Sequence, residues 1–149
     1  MRVVLDSNVT IAAFAARGLC NALFESCIGN HEIVLCEEIL SEISDKLKNK
    51  IRLPDEIIHQ ILILLRSYSI IVIPEKAAIN SLRDKKDLMV LGSAVAGGVS
   101  YIVAGDKDLL EVGKYKDIKI IDPRSFWEKL KDQLNKGNQS QSPKKARNR

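Results

Sequence analysis

Tyr101–Leu110 reads YIVAGDKDLL. An apolar run, Tyr101–Val103, passes through Ala104 and Gly105 and stops at Asp106, Lys107 and Asp108. A short apolar run without alternation is the pattern of a strand buried on both faces. Such a strand has no use for two carboxylates at its tip unless a helix starts there or a ligand binds there.

Four similar runs occur elsewhere: Val3–Leu5, Ile33–Cys36, Ile70–Ile73 and Ile118–Ile121, with Ser100–Val103 as the fourth in chain order. Helical patterns separate them. Residues 10–28 are rich in Ala, Leu, Phe and Cys, with Gly18 as an interruption. Residues 37–48 place Ile39, Ile43 and Leu47 four apart, with Leu40 beside them, which is an amphipathic stripe. Pro54 suits the first turn of a helix whose apolar face is Ile57, Ile58, Ile61, Leu62 and Leu65. Residues 86–96 form another helix ending at Gly97-Gly98, and Pro123 opens a last one carrying Phe126, Trp127 and Leu130. Strands alternating with helices predict an α/β fold with a parallel sheet. Two helices share the crossover between the second and third strands.

In a sheet of this kind ligands sit beyond the carboxyl ends of the strands, where the strand order reverses. Asp6 follows the first strand and Asp106 the fourth, so both belong to one rim. Glu42, in ILSEISDKL, sits beside the apolar stripe of its helix rather than opposite it. Asp87, in LRDKKDLMVLGSA, falls in the first turn of its helix, with Asp84 as a possible cap. Each acid alone has an adequate account as a cap or a solvated side chain. Their conjunction does not: clustered carboxylates repel and raise one another's pKa, and a divalent cation relieves this. Oxygen-only ligands suit Mg²⁺ or Mn²⁺ and argue against zinc. His31 and His59 have no spaced partner. A carboxylate-held Mg²⁺ suits metal-assisted phosphodiester hydrolysis.

The rest of the composition narrows the class. At 149 residues and 46% apolar, the chain is sized for one domain. No apolar run approaches the ~18 residues that span a bilayer, and an acid at position 6 argues against a secretory leader, so an intracellular, cytoplasmic protein without a membrane partner is expected. Cys20, Cys27 and Cys36 have no CxxC spacing and read as reduced, buried thiols. The net charge of +4 is uneven. Residues 135–149 hold five of the 23 basic residues and no acid, leaving residues 1–134 with 18 bases against 19 acids. The division expected is a domain over 1–134 and a basic, disordered tail over 135–149. The tail is either a solvated end or a nucleic-acid contact, with Lys144, Lys145 and Arg147, together with Lys107 in the body, as candidate RNA-binding residues.

The segments VVLDSNV, EEILSEISDKL, RDKKDLMVLGSAVAGGVSYIVAGDKDLL and IKIIDPRSFWEKL together resemble the PIN domain. The nearest type is the stand-alone prokaryotic PIN protein related to VapC-like toxins. The resemblance runs in order over roughly residues 1–131, and Arg83–Leu110 is its most specific part. It implies a PIN-like three-layer sandwich with a central five-stranded parallel sheet flanked by helices. It also implies an Mg²⁺- or Mn²⁺-dependent endoribonuclease, the toxin of a type II toxin–antitoxin system, with an RNA substrate, an antitoxin partner and a homodimeric tendency. Matched motif by motif, Asp6, Glu42, Asp87 and Asp106 are the catalytic and metal-binding acids. Asp108 is an accessory or alternative ligand, and Ser7 and Asn8 support the first acid. Ala104 departs from the Thr or Ser that often precedes the Gly-Asp pair, Glu38 is an alternative to Glu42, and Gly92 costs a helix about 0.5–1 kcal/mol relative to Ala.

Two other classes compete. A catalytically silent PIN protein would bind RNA through its tail. A phospho-acceptor receiver domain also needs Mg²⁺. It wants adjacent acids after the first strand, an Asp after the third and a Lys after the fifth. Here a single Asp follows the first strand and the third ends at IPEK.

Overall fold

The structure is a computed structural model. It describes the backbone of residues 1–145 and the side chains of residues 1–137. The elements alternate as expected: β1 (Arg2–Leu5), α1 (Ser7–Ala15), α2 (Leu19–Asn30), β2 (Glu32–Leu35), α3 (Glu37–Asn49), α4 (Asp55–Ser67), β3 (Ser69–Ile71), α5 (Lys85–Gly97), β4 (Tyr101–Val103), α6 (Lys107–Val112), β5 (Lys114–Tyr115), β6 (Ile118–Ile121) and α7 (Pro123–Lys145).

The sheet has the order β3-β2-β1-β4-β6-β5. Five strands are parallel, as the apolar runs predict. The sixth corrects the expected count: β5 pairs antiparallel with β6 at the edge, Lys114 opposite Lys119 and Tyr115 opposite Ile118. At two residues it is too short to leave a periodic signal. Val3, Val4 and Leu5 are all fully buried. Successive strand residues point to opposite faces, so both faces of β1 are covered by helices. Both α3 and α4 lie in the crossover from β2 to β3 and pack on each other.

Two glycines of α5 have packing reasons. A Cβ on Gly97 would stand 2.6 Å from Val34 Cγ1, so the glycine lets α5 approach β2. Gly92 faces the connection after β3: Glu75 N–H donates to the Gly92 carbonyl at 3.0 Å, and a Cβ at Gly92 would collide with the Glu75 carbonyl. The helix-propensity cost read from the sequence is therefore the condition for pinning this connection onto α5. Gly98 ends the helix at φ +60°, a left-handed cap that glycine adopts freely.

The last helix, α7, opens at Pro123 as expected. It runs to Lys145, so residues 135–145 are helical where composition suggests a disordered tail. Residues 131, 132, 133, 134, 135, 136 and 137 are exposed. Earlier, Phe126 and Leu130 bury the helix in the core, and it packs on α2. The side chains of Lys144 and Lys145, and all of Arg147, lie outside the described residues. All three cysteines are free. Cys27 and Cys36 are buried, burial pushes the Cys27 thiol up to about 12, and Cys20 is half-buried. Among the described residues no single helix is long and apolar enough to cross a membrane. α1 and α2 would reach that length only together, across a 105° bend.

Candidate active site

The strand order reverses at β1, with β2 on one side and β4 on the other. Leu5 and Val103 are register partners, so the residues just beyond them meet at one rim. A cleft of about 250 Å³ opens there, walled by Asp6, Glu42, Asp87 and Asp106, with Ser7, Asn8, Lys46, Asp84, Lys86 and Gly105 also lining it. The four principal acids named from the sequence thus reach one space from four different elements or their ends. Ser7 and Asn8 line it too. Lys107 does not, and Glu38 lines the neighbouring groove instead.

Capping and convergence turn out to be compatible. Asp6 is the N-cap of α1: Val9 N–H donates to its Oδ1 at 2.8 Å, while Gly105 N–H donates to its Oδ2 at 3.3 Å. Both carboxylate oxygens are thereby fixed. Asp6 is only 5% exposed. Burial raises its pKa above the ordinary carboxylate value, opposed by the two N–H donors and by Lys46, and assisted by the charge of Asp106. Asp106 caps α6 through Asp108 N–H at 3.2 Å, and Asp84 caps α5 through Lys86 N–H at 2.9 Å.

Asp87, in the first turn of α5, is 8% exposed. Its carboxyl is pushed up to about 7, first by burial and then by a hydrogen bond and charge repulsion from Asp106, with Asp84 and Asp108 adding repulsion. A carboxyl at that level is still partly protonated at neutral pH. Carboxylate oxygens of Asp87, Asp106 and Asp108 lie within 4.8 Å of one another. Asp108, an accessory acid in the sequence reading, is part of this tightest cluster even though its side chain is exposed.

The donor set answers whether a cation fits. Three oxygen ligands converge, one carries a pKa raised by its neighbours, and no sulfur or imidazole lines the cleft. This suits a hard dication such as Mg²⁺ or Mn²⁺.

Glu42 is placed by α3, whose buried stripe is Ile39, Leu40, Ile43 and Leu47. One turn on, Lys46 reaches back, with Nζ 2.8 Å from Glu42 Oε1. The same Nζ donates to Asn8 Oδ1 at 2.9 Å and to Ser7 Oγ at 3.3 Å. Lys86 Nζ lies 3.7 Å from Glu42 Oε1. Sequence reasoning missed Lys46. Its spacing of four from Glu42 was a signal, but the same spacing marks ordinary surface pairs on helices.

The family model for the PIN domain matches residues 2–108. Among solved structures the chain is similar to one described as the crystal structure of VapBC2 from Rickettsia felis bound to a DNA fragment from its promoter. The match has a TM-score of 0.57 at 15% identity, and covers 82% of this chain and 98% of that one. At that identity the likeness is one of fold. No curated protein matches the sequence.

Proposed function

The chain belongs to the PIN domain family, and on that premise we propose that it is a divalent-metal-dependent endoribonuclease, the toxin component of a type II toxin–antitoxin system. One observation carries the reading: acids from separate segments gather in one cleft that offers no sulfur or imidazole ligand and is crowded enough to push Asp87 up to about 7. Asp6, Asp87 and Asp106, with Asp108 at the same edge and Glu42 on the opposite wall, form the catalytic group. When bound, Mg²⁺ or Mn²⁺ supplies the positive charge that polarises a phosphodiester and acidifies a water.

The remaining contributions come from the chain itself. Two backbone N–H donors hold Asp6 in one orientation, so it meets its partner without a search. Asp87, held up by burial and by the neighbouring Asp106 charge, gives up its proton more readily when positive charge arrives beside it. Lys86, exposed at the mouth of the cleft, offers a cation to an RNA phosphate, and Lys107 does so from outside it. An antitoxin is the expected protein partner, supported by the likeness in fold to a toxin–antitoxin complex. A second copy of the chain is a further expected partner, and the cytoplasm, where RNA is met, is the expected compartment. Residues 1–134 are the proposed catalytic unit, and residues 135–149 an appendage that strengthens RNA binding.

The test is a cleavage assay on total RNA with Mn²⁺. Wild type cuts and Asp6→Asn does not. Equal cleavage by matched preparations of the two would refute the assignment.

A further inference from the structure

The cleft is electrically divided. One half is Asp87 and Asp106, with the exposed Asp108 just outside the lining; the oxygens of these three crowd within 4.8 Å, and they make no ion pair among the described residues. Glu42 and Asp6 are not members of that cluster. The other half holds a cation of its own. An ammonium has three donors, and Lys46 Nζ has three oxygens around it: Glu42 Oε1 at 2.8 Å, Asn8 Oδ1 at 2.9 Å and Ser7 Oγ at 3.3 Å. Two of these sit in the first turn of α1, immediately after Asp6, so the ammonium is tied to both walls of the cleft. A second lysine, Lys86, stands 3.7 Å from the same Glu42 oxygen.

We propose that Lys46 is the resident cation of this half. The cleft then takes one divalent ion, at Asp87, Asp106 and Asp108, while Glu42 is the partner of Lys46 rather than a metal ligand. The inference rests on the metal-dependent reading above and refines it. A dication held by Glu42 would have to displace the ammonium or stand beside it, and like charges at a few ångströms repel. Lys46 acts through Glu42, Ser7 and Asn8, as a positioning residue: it fixes that wall and neutralises it without an exchangeable ion.

The experiment counts ions. Full-length protein freed of metal is titrated with MnCl₂ by calorimetry, and bound Mn²⁺ is checked by electron paramagnetic resonance. Wild type binds one Mn²⁺. Lys46→Met, which keeps the stem and removes the charge, binds a second, and Lys46→Arg stays at one. Glu42→Gln leaves the affinity of the first ion within a few-fold, whereas loss of a true ligand or its close support costs about tenfold or more. Two ions in wild type, an unchanged count in Lys46→Met, or a tenfold weaker first ion in Glu42→Gln would overturn the proposal while leaving a metal-dependent enzyme. Absence of any Mn²⁺ binding by wild type would overturn the metal reading itself, and the proposal with it. If Lys46→Met does not fold, the wild-type count and Glu42→Gln still decide.

Discussion

Asp87→Asn should make the metal-free protein more stable, by an amount that grows as pH rises from about 4 to about 7. The Asp87 carboxyl titrates near 7 in the fold against an ordinary value of 3.8. The folded value lies above the unfolded one, so the fold prefers the protonated form. That contribution is whole below about pH 4, is lost as pH rises through 7, and is gone by about pH 8. A gap of about three units at 1.36 kcal/mol each sets a ceiling of about 4 kcal/mol. A loss of about 2–4 kcal/mol is expected. Asp6, also raised, adds in the same direction. His31, held below its ordinary 6.5 by burial, works in the opposite direction below neutrality. Subtracting the variant's curve from the wild type's removes both. The measurement is thermal denaturation in a chelator from pH 4 to 8.5. The two proteins should differ least at pH 4, and the gap should widen up to about pH 7 and reach roughly 5–15 °C at pH 8, with the variant higher. Saturating Mn²⁺ at pH 8 should close most of the gap by raising wild type. Parallel curves across the range would show that Asp87 is not crowded by its neighbours, and the argument for a dication would lose its footing.

Other outcomes follow from the packing and the caps. Gly92→Ala, favourable by propensity in an open helix, should destabilise by about 1–3 kcal/mol because the Glu75 carbonyl occupies the space; urea denaturation reads the sign. Asp6→Asn keeps an acceptor for Val9 N–H, so its stability should stay within about 1 kcal/mol of wild type while RNA cleavage falls at least roughly 100-fold. Truncation after residue 134 should leave the melting temperature within a few degrees, since Phe126 and Leu130 anchor α7 before the cut. It should also weaken RNA binding more at low salt than at high salt, which a salt-series filter-binding assay would show.

What the sequence disclosed follows from how strongly each element is constrained. The five parallel strands were legible as runs of Val and Ile; burial on both faces accounts for β1, β2 and β4, while β3 and β6 leave Ile71 and Lys119 exposed. β5 was not, since Lys114–Tyr115 has two residues, one of them charged, and exists only by pairing with β6. α6 looked like a turn with a cap, being a six-residue helix without room for periodicity. The acids could be picked out because each follows a strand or opens a helix, places where topology concentrates side chains. Lys46 could not, because its role depends on α1 lying against α3, a contact between segments almost forty residues apart. Gly92 looked like a defect until the neighbouring connection was in view.

Three of the carboxylates around the cleft, on Asp6, Asp84 and Asp106, also begin the helices that follow them. Exchange to Asn or Ser at such a place leaves a helix start intact and strips a charge. Silencing is therefore reachable in single steps that folding does not resist. A descendant of this chain could keep its architecture whole and do no chemistry, and resemblance in shape would not reveal it. The informative quantity in such relatives is how many of these helix starts still carry an acid.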